Sequence, residues 1–302
     1  MRLITSVQNR AIREARKLKQ GKYRQQQQRF LIEGTRLVGA ALRGNARVSE
    51  AFVTRALVEG PQGAELLSAL ESRRAELMLI PDEALREVAD TENPQGIVAV
   101  VESVVVPLMD LKTRHTPLLL VLDGVADPGN VGTLIRTAWS QGTHAVILGE
   151  NCCDPLNPKA VRATMGGLFH VPVAISGAAE ETARFLKSRD ITLVGSATGE
   201  GVVCDRFNFP KAVAIAIGSE VRGLSPAMRD AAAALVTIPE QRGAESLNAA
   251  AAGAVLLYEA MRQRRVNRAQ STGRARPSTK RPPHERPQKG RATGQPKGRP
   301  KS

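Results

Sequence analysis

From Leu118 onward, short apolar runs alternate with helical stretches, and this alternation restricts the fold more than any other property of the chain. The runs lie at 118–122, 145–149, 171–175, 191–195, 213–217 and 235–238. Helical spacing covers 131–140, 157–165, 178–189, 226–233 and 246–263. Strands that each lead into a helix predict a mostly parallel sheet with helices on both faces. In such a sheet the carboxyl ends of the strands are where ligands and chemistry collect.

The region before Leu118 has a different pattern. Residues 4–29 carry Val7, Ala11, Ile12, Ala15 and Leu18 near a helical period with basic residues on the other faces, which predicts one cationic amphipathic helix. Phe30-Leu31-Ile32 predicts a strand, Glu33-Gly34 a turn, and Thr35 to Leu42 a helix ended by Gly44. Apolar runs at 51–53, 77–80 and 97–101, a helical stretch around 62–73 and a turn at Asn93-Pro94-Gln95-Gly96 complete a small α/β domain. The polar stretch between Pro107 and Pro117 is the expected boundary. The expected organisation is therefore a first domain at 1–106, a linker at 107–116, a second domain at 117–263 and a tail at 264–302. That tail is rich in Arg, Lys, Pro and Gly, has almost no large apolar side chain, and is expected to be disordered.

Charge is divided unevenly along the 302 residues. Twelve basic and two acidic side chains occupy 1–47, and fourteen and one occupy 262–302, whereas the middle carries seventeen and twenty-six, for a net charge of +14 overall. An acidic body with two basic ends fits a protein that meets a polyanion through its extremities, and nucleic acid is the expected partner. Three cysteines, two of them adjacent and none in Cys-x-x-Cys spacing, predict neither a disulfide framework nor a metal site. No apolar run approaches the ~20 residues of a membrane span, and no amino-terminal signal segment is apparent, so a cytoplasmic protein without membrane contact is expected.

Three polar segments follow apolar runs in the second half. In Asp123 to Arg136, Pro128-Gly129-Asn130 makes a turn. A helix follows with a buried stripe at Val131, Leu134, Ile135, Ala138 and Trp139, and Gly132, Thr133, Arg136 and Ser140 lie on its other side. Asn130 is expected at the helix start as a cap, with Arg136 ~9 Å further along the axis, where its planar fork suits a phosphate. In Gly218 to Gly223, glycines at both ends allow close approach of a ligand, and neither a dinucleotide fingerprint nor a Walker lysine is present. In Ile238 to Asn248, a strand end leads to a helix capped by Ser246, whose first turns (Ala249 to Gly253) are small enough for something to pack closely.

Together the three segments resemble the SpoU (TrmH-type) branch of the SPOUT superfamily of RNA methyltransferases. The family's Asn and Arg six residues apart are matched by Asn130 and Arg136, and its Gly-x-Glu followed by glycine by Gly218, Glu220 and Gly223. Ile-Pro through Ser-Leu-Asn is matched by Ile238, Pro239, Ser246, Leu247 and Asn248. FLIEGTRLVGAAL at 30–42 and NPQGIVAVV at 93–101 are similar to the family's substrate-binding domain, which has the fold of a ribosomal RNA-binding protein.

The resemblance implies a carboxy-terminal parallel-sheet domain with a deep trefoil knot, S-adenosylmethionine as cofactor, a homodimer, no DNA partner, and methyl transfer to a ribose 2′-hydroxyl. Large-subunit 23S-type rRNA is the expected substrate; tRNA, or a non-catalytic role in ribosome assembly, are the alternatives. By carry-over, Asn130, Arg136, Glu220, Ser246 and Asn248 are the catalytic set. Glu220 would fix Arg136 or the cofactor pocket, and backbone groups at Ala197, Gly218, Ile238 and Leu247 would hold the cofactor. No general base is identified, since His115, His144 and His170 fall outside the motifs.

Overall fold

A computed structural model describes residues 1–241, 243 and 245–271. The first sheet contains β1 (Arg2–Leu3), β2 (Arg29–Glu33), β3 (Val48–Val53), β4 (Glu76–Leu79) and β5 (Ile97–Glu102) in the order β1-β4-β3-β5-β2. Strand β5 runs antiparallel to both β2 and β3, so this sheet is mixed. Around it stand α1 (Arg10–Lys17), α2 (Gly21–Gln27), α3 (Thr35–Arg43), α4 (Arg55–Glu59), α5 (Gly63–Ser72) and α6 (Asp82–Val88).

The single helix expected over 4–29 is two helices. Asn9 caps α1 by accepting from the Ala11 amide at 2.9 Å. The turn after α1 is then held by the Arg24 guanidinium, which donates to the carbonyls of Leu18 at 3.0 Å and Lys19 at 2.8 Å and pairs with Asp154 at 2.6 Å. Burying a guanidinium is costly unless it is paired and hydrogen-bonded, and Arg24 meets both conditions.

The second sheet is entirely parallel, in the order β11-β13-β10-β12-β7-β8-β9-β6. Its strands are β6 (Val105–Pro107), β7 (Leu118–Asp123), β8 (Ala145–Leu148), β9 (Val173–Ile175), β10 (Thr192–Ser196), β11 (Val202–Val203), β12 (Val213–Gly218) and β13 (Ala234–Thr237). The covering helices are α7 (Pro128–Ser140), α8 (Pro158–Ala163), α9 (Ala179–Lys187), α10 (Pro226–Ala231) and α11 (Ala249–Ser271). Every side chain of β7 and β12 is buried, as a central parallel strand requires.

Two expected boundaries move. The segment after β5 is no free linker, because β6 pairs with β9 at the sheet edge and Leu108 and Leu111 are buried. Helix α11 continues to Ser271, into the stretch expected to lack structure from 264. The rest of that expected tail, 272–302, lies outside the described residues. Met1–Arg265 form one compact unit, and a second unit begins at Val266 within α11.

The two sheets share a hydrophobic core in which Phe30 of β2 stacks on Phe169 at 6.3 Å. Phe169 belongs to the turn at 164–170 between α8 and β9, which wedges between α3 and α7. A Cβ on Gly44 would stand 2.6 Å from the Phe169 Cβ, one on Gly166 would stand 2.6 Å from the Ala40 Cβ, and one on Gly167 would stand 3.2 Å from the Arg136 Cα. No helix among the described residues is long and apolar enough to cross a membrane.

Candidate active site

Because β7 and β12 are neighbours in register, with Gly218 opposite Asp123, the loops that follow them leave the sheet side by side. The Asp123 carboxylate accepts from the Ser225 amide at 2.6 Å and ties the end of the second loop to the start of the first. The loop after β12 is tight: Ser219 and Gly223 exchange backbone hydrogen bonds of 3.0 and 2.9 Å. A Cβ on Gly218 would stand 2.1 Å from the Gly223 carbonyl carbon, so this glycine first of all lets its own loop fold back.

Asn130 is the meeting point of the three segments. Its side-chain amide nitrogen donates to Glu220 Oε1, and its Oδ1 accepts from Asn248 Nδ2 at 2.7 Å. Residues 90 and 118 positions apart thus converge on one amide. Asn130 does not cap α7. Asp127 is the cap, accepting from the Asn130 backbone N–H at 2.8 Å, and Pro128 supplies the preset first turn. With its backbone amide satisfied by Asp127, the Asn130 side chain is available to bridge the other two segments.

At the opposite corner Asn248, and not Ser246, caps α11, its Oδ1 accepting from the Ala250 and Ala251 amides at 2.9 and 3.1 Å. Ser246 is exposed two residues earlier and lines the adjacent cleft. Arg136 is exposed on α7 and makes no hydrogen bond or ion pair with any described residue. Glu220 therefore engages Asn130 and not Arg136.

The helix that carries Arg136 is held firmly. Gly132 is buried against α8, where a Cβ would stand 2.3 Å from the Ala160 carbonyl oxygen, so it does not share the polar face with Arg136. Trp139, expected in the buried stripe, is 43% exposed, and its ring stacks on His170 at 4.5 Å. Ala249, Ala250 and Gly253 of α11 face inward, and a Cβ on Gly253 would stand 2.3 Å from Leu134 Cδ2.

Beside Asn130 opens a cleft of about 310 Å³ at the ends of β10, β12 and β13. Ala197, Gly218, Ile238 and Leu247 all line it, together with Glu220 and Ser246. Ile217, Val236 and Leu256 supply apolar wall. Glu240 Oε1 accepts from the Leu247 amide at 3.0 Å, and both residues line the cleft. At the mouth the Arg229 guanidinium bonds Glu200 and holds that carboxyl below its ordinary range.

Among the described residues, no histidine bonds to this cluster. His144 Nδ1 accepts from the Leu118 amide at 2.9 Å, and burial pushes the imidazole below its usual range. No group of His, Cys, Asp and Glu among the described residues could hold a metal ion.

Comparison with known proteins places this geometry in context. The SpoU rRNA Methylase family matches residues 117–258, and the MRM3-like substrate binding domain matches residues 9–99. The 23S rRNA (guanosine(2553)-2′-O)-methyltransferase RlmP of Bacillus subtilis is 33% identical over 258 residues, covering 85% of this chain and 98% of its own. The 23S rRNA (uridine(2479)-2′-O)-methyltransferase of Streptomyces viridochromogenes is 33% identical over 256 residues, covering 80% and 86%. The crystal structure of the SpoU methyltransferase AviRb from Streptomyces viridochromogenes with AdoMet superimposes with a TM-score of 0.79 at 30% identity, covering 85% of this chain and 98% of that one. An AdoMet-bound rRNA methyltransferase from Sinorhizobium meliloti superimposes with a TM-score of 0.78 at 30% identity, covering 86% and 97%.

Proposed function

The chain belongs to the SpoU rRNA methylase family, and from that premise we propose that it transfers a methyl group from S-adenosylmethionine to a ribose 2′-hydroxyl of large-subunit rRNA. The observation that carries this reading is the bridge from Glu220 through Asn130 to Asn248, which joins the three polar segments beside the cleft.

The cleft fits the cofactor. Its apolar walls at Ile217, Val236 and Leu256 suit a flat adenine ring, and the backbone of Ala197, Gly218, Ile238 and Leu247 offers donors and acceptors around it. Bound there, S-adenosylmethionine supplies an electrophilic methyl group. The chemistry it would supply is methyl transfer to the ribose oxygen, for which the residues beside the cleft would hold the hydroxyl in place. Guanidinium is effectively always protonated, so Arg136 serves as an electrostatic group that binds the neighbouring phosphate and stabilises the developing alkoxide. Asn130, locked by its two partners, orients the ribose, and Ser246 and Asn248 complete the polar edge. Most of the rate then comes from positioning.

Three further features belong to the same reading. The carboxy-terminal segment threads through the loops around the cleft as a trefoil knot. Two copies associate through the exposed apolar residues of α7 and α11, among them Trp139, Val255 and Tyr258. The basic ends add salt-sensitive affinity for RNA.

Labelled S-adenosylmethionine offered with total rRNA and, separately, total tRNA from cells lacking this protein tests the reading. One new 2′-O-methyl site in the rRNA is expected. A site in tRNA alone would replace the substrate, and neither transfer nor cofactor binding would overturn the activity.

A further inference from the structure

The loop after β12 forms one wall of the cleft, and its exposure changes along its length. Ile217 is buried, Gly218 packs against its own loop, and by Val221 and Arg222 the chain is open to solvent. Between Ile217 and Arg222, an apolar wall gives way to a charged rim.

Among the described residues, five charged side chains line the cleft: Glu200, Glu220, Glu240, Arg222 and Arg229. Four of them have partners. Glu220 accepts from Asn130, Glu240 accepts from the Leu247 amide, and Glu200 and Arg229 bond each other. The Arg222 guanidinium bonds to no described residue. It also borders a second hollow, with Glu150 and Glu180, and pairs with neither. Its backbone, by contrast, is fixed. The Arg222 amide donates to Ser219 Oγ at 3.1 Å, inside the turn that Ser219 and Gly223 close with their paired backbone hydrogen bonds. A tied turn therefore presents a free guanidinium at the rim of the cleft. Arg222 is not one of the motif residues Gly218, Glu220 and Gly223, so the motif gives it no role.

S-adenosylmethionine has one uncharged end and one charged end. Adenine is flat and neutral, whereas the amino-acid moiety carries an ammonium and a carboxylate beside the sulfonium, and the molecule is a net cation. Three carboxylates against two guanidiniums give the described lining the opposite sign. That lining attracts the ligand as a whole but repels its carboxylate, which needs a hydrogen-bonded cation when it leaves water. Arg229 is spent on Glu200, and Arg222 remains.

We propose that Arg222 binds the carboxylate of the S-adenosylmethionine amino-acid moiety and so fixes which way round the cofactor lies in the cleft. The inference rests on the methyltransferase reading and adds a residue to its cofactor site. A guanidinium grips a carboxylate through two parallel N–H···O bonds, so the contact sets orientation as well as affinity. Glu220 lies between Ile217 and Arg222 in the chain. Anchoring both ends of the cofactor therefore directs its reacting centre toward the residue that holds Asn130.

Isothermal titration of the full-length protein with S-adenosylmethionine and with decarboxylated S-adenosylmethionine, which keeps the sulfonium and the adenosine, tests the contact. The parent should prefer S-adenosylmethionine by about tenfold or more, as a charge-assisted pair requires. Arg222→Gln should bind S-adenosylmethionine about tenfold more weakly and lose most of that preference, with an unchanged melting temperature. Arg222→Lys should retain part of the preference. Arg229→Gln should keep it, since that guanidinium is committed to Glu200. Equal binding of the two ligands by the parent, a preference undiminished in Arg222→Gln, or one lost in Arg229→Gln instead would overturn the assignment and leave the cofactor in the cleft. A parent that binds neither ligand would sink the methyltransferase reading and this inference with it.

Discussion

The Asn248 amide nitrogen donates to Asn130 Oδ1 at 2.7 Å while the Asn248 oxygen caps α11, so one side chain both starts a helix and aims the residue at the centre of the site. These two tasks separate by substitution. Asn248→Asp keeps an acceptor for the cap but loses the donor to Asn130, and it places a carboxylate near Glu220. It should unfold at nearly the same denaturant concentration as the parent while single-turnover methyl transfer falls at least tenfold. Asn248→Ala loses both, with about 1 kcal/mol of stability gone with the cap. Equal activity of the parent and Asn248→Asp would show that the orientation of Asn130 is immaterial.

Arg136 is exposed and bonds to nothing in the described structure, so its removal should cost the fold less than about 0.5 kcal/mol. If it stabilises charge that develops only during transfer, Arg136→Ala should lower kcat/KM about 10²- to 10³-fold. Arg136→Lys keeps the charge but not the planar fork and should recover only part of that loss. Thermal melts beside single-turnover assays make the comparison, and undiminished turnover in Arg136→Ala would remove this residue from the mechanism.

The parallel sheet was legible because β7, β8, β10 and β12 are apolar runs of helix-separated spacing, a pattern written locally. What escaped depends on contacts made at a distance. Trp139 sits at the edge of the stripe led by Val131, and periodicity cannot tell that His170, from a remote turn, is what covers one face of its ring. Residue type makes Asn130 and Ser246 the expected caps, yet Asp127 and Asn248 stand where the helix axes begin. The break in the expected helix over 4–29 depends on Arg24 meeting Asp154, a residue of the other domain. The glycines of 218–223 suggest room for a ligand, although Gly218 first makes room for its own loop. The association of Asn130 with Glu220 and Asn248 had no local signal, and only the joint occurrence of the three segments pointed to one site.

His144 links stability to pH. Burial lowers its folded-state affinity for a proton, while in the unfolded chain it titrates near its ordinary value of 6.5. The unfolded state therefore binds more protons as pH falls below that value, and stability drops through the window between it and the lower folded value. Below the folded value the loss is complete. His144→Asn retains an acceptor for the Leu118 amide and removes the titration. Between pH 7 and 5 its denaturation midpoint should fall less steeply than the parent's, and parallel curves would show that His144 does not contribute.

Gly253→Ala sets two effects against each other. Alanine improves helix propensity by about 1 kcal/mol, and on an exposed helix the substitution would stabilise. Here the added methyl carbon would stand 2.3 Å from Leu134 Cδ2, with Ile217 behind it. Overpacking of this kind costs about 1–3 kcal/mol, so a net loss is expected, seen as a lower Tm. Since α11 carries Asn248 at its start, relieving the clash by moving the helix would also pull the Asn248 amide from Asn130, and transfer should slow alongside the loss of stability. Leu134→Ala made in the Gly253→Ala background opens the space that the methyl group needs. The two changes together should then cost less than their sum, whereas strict additivity would place the strain of Gly253→Ala somewhere other than the contact between α7 and α11.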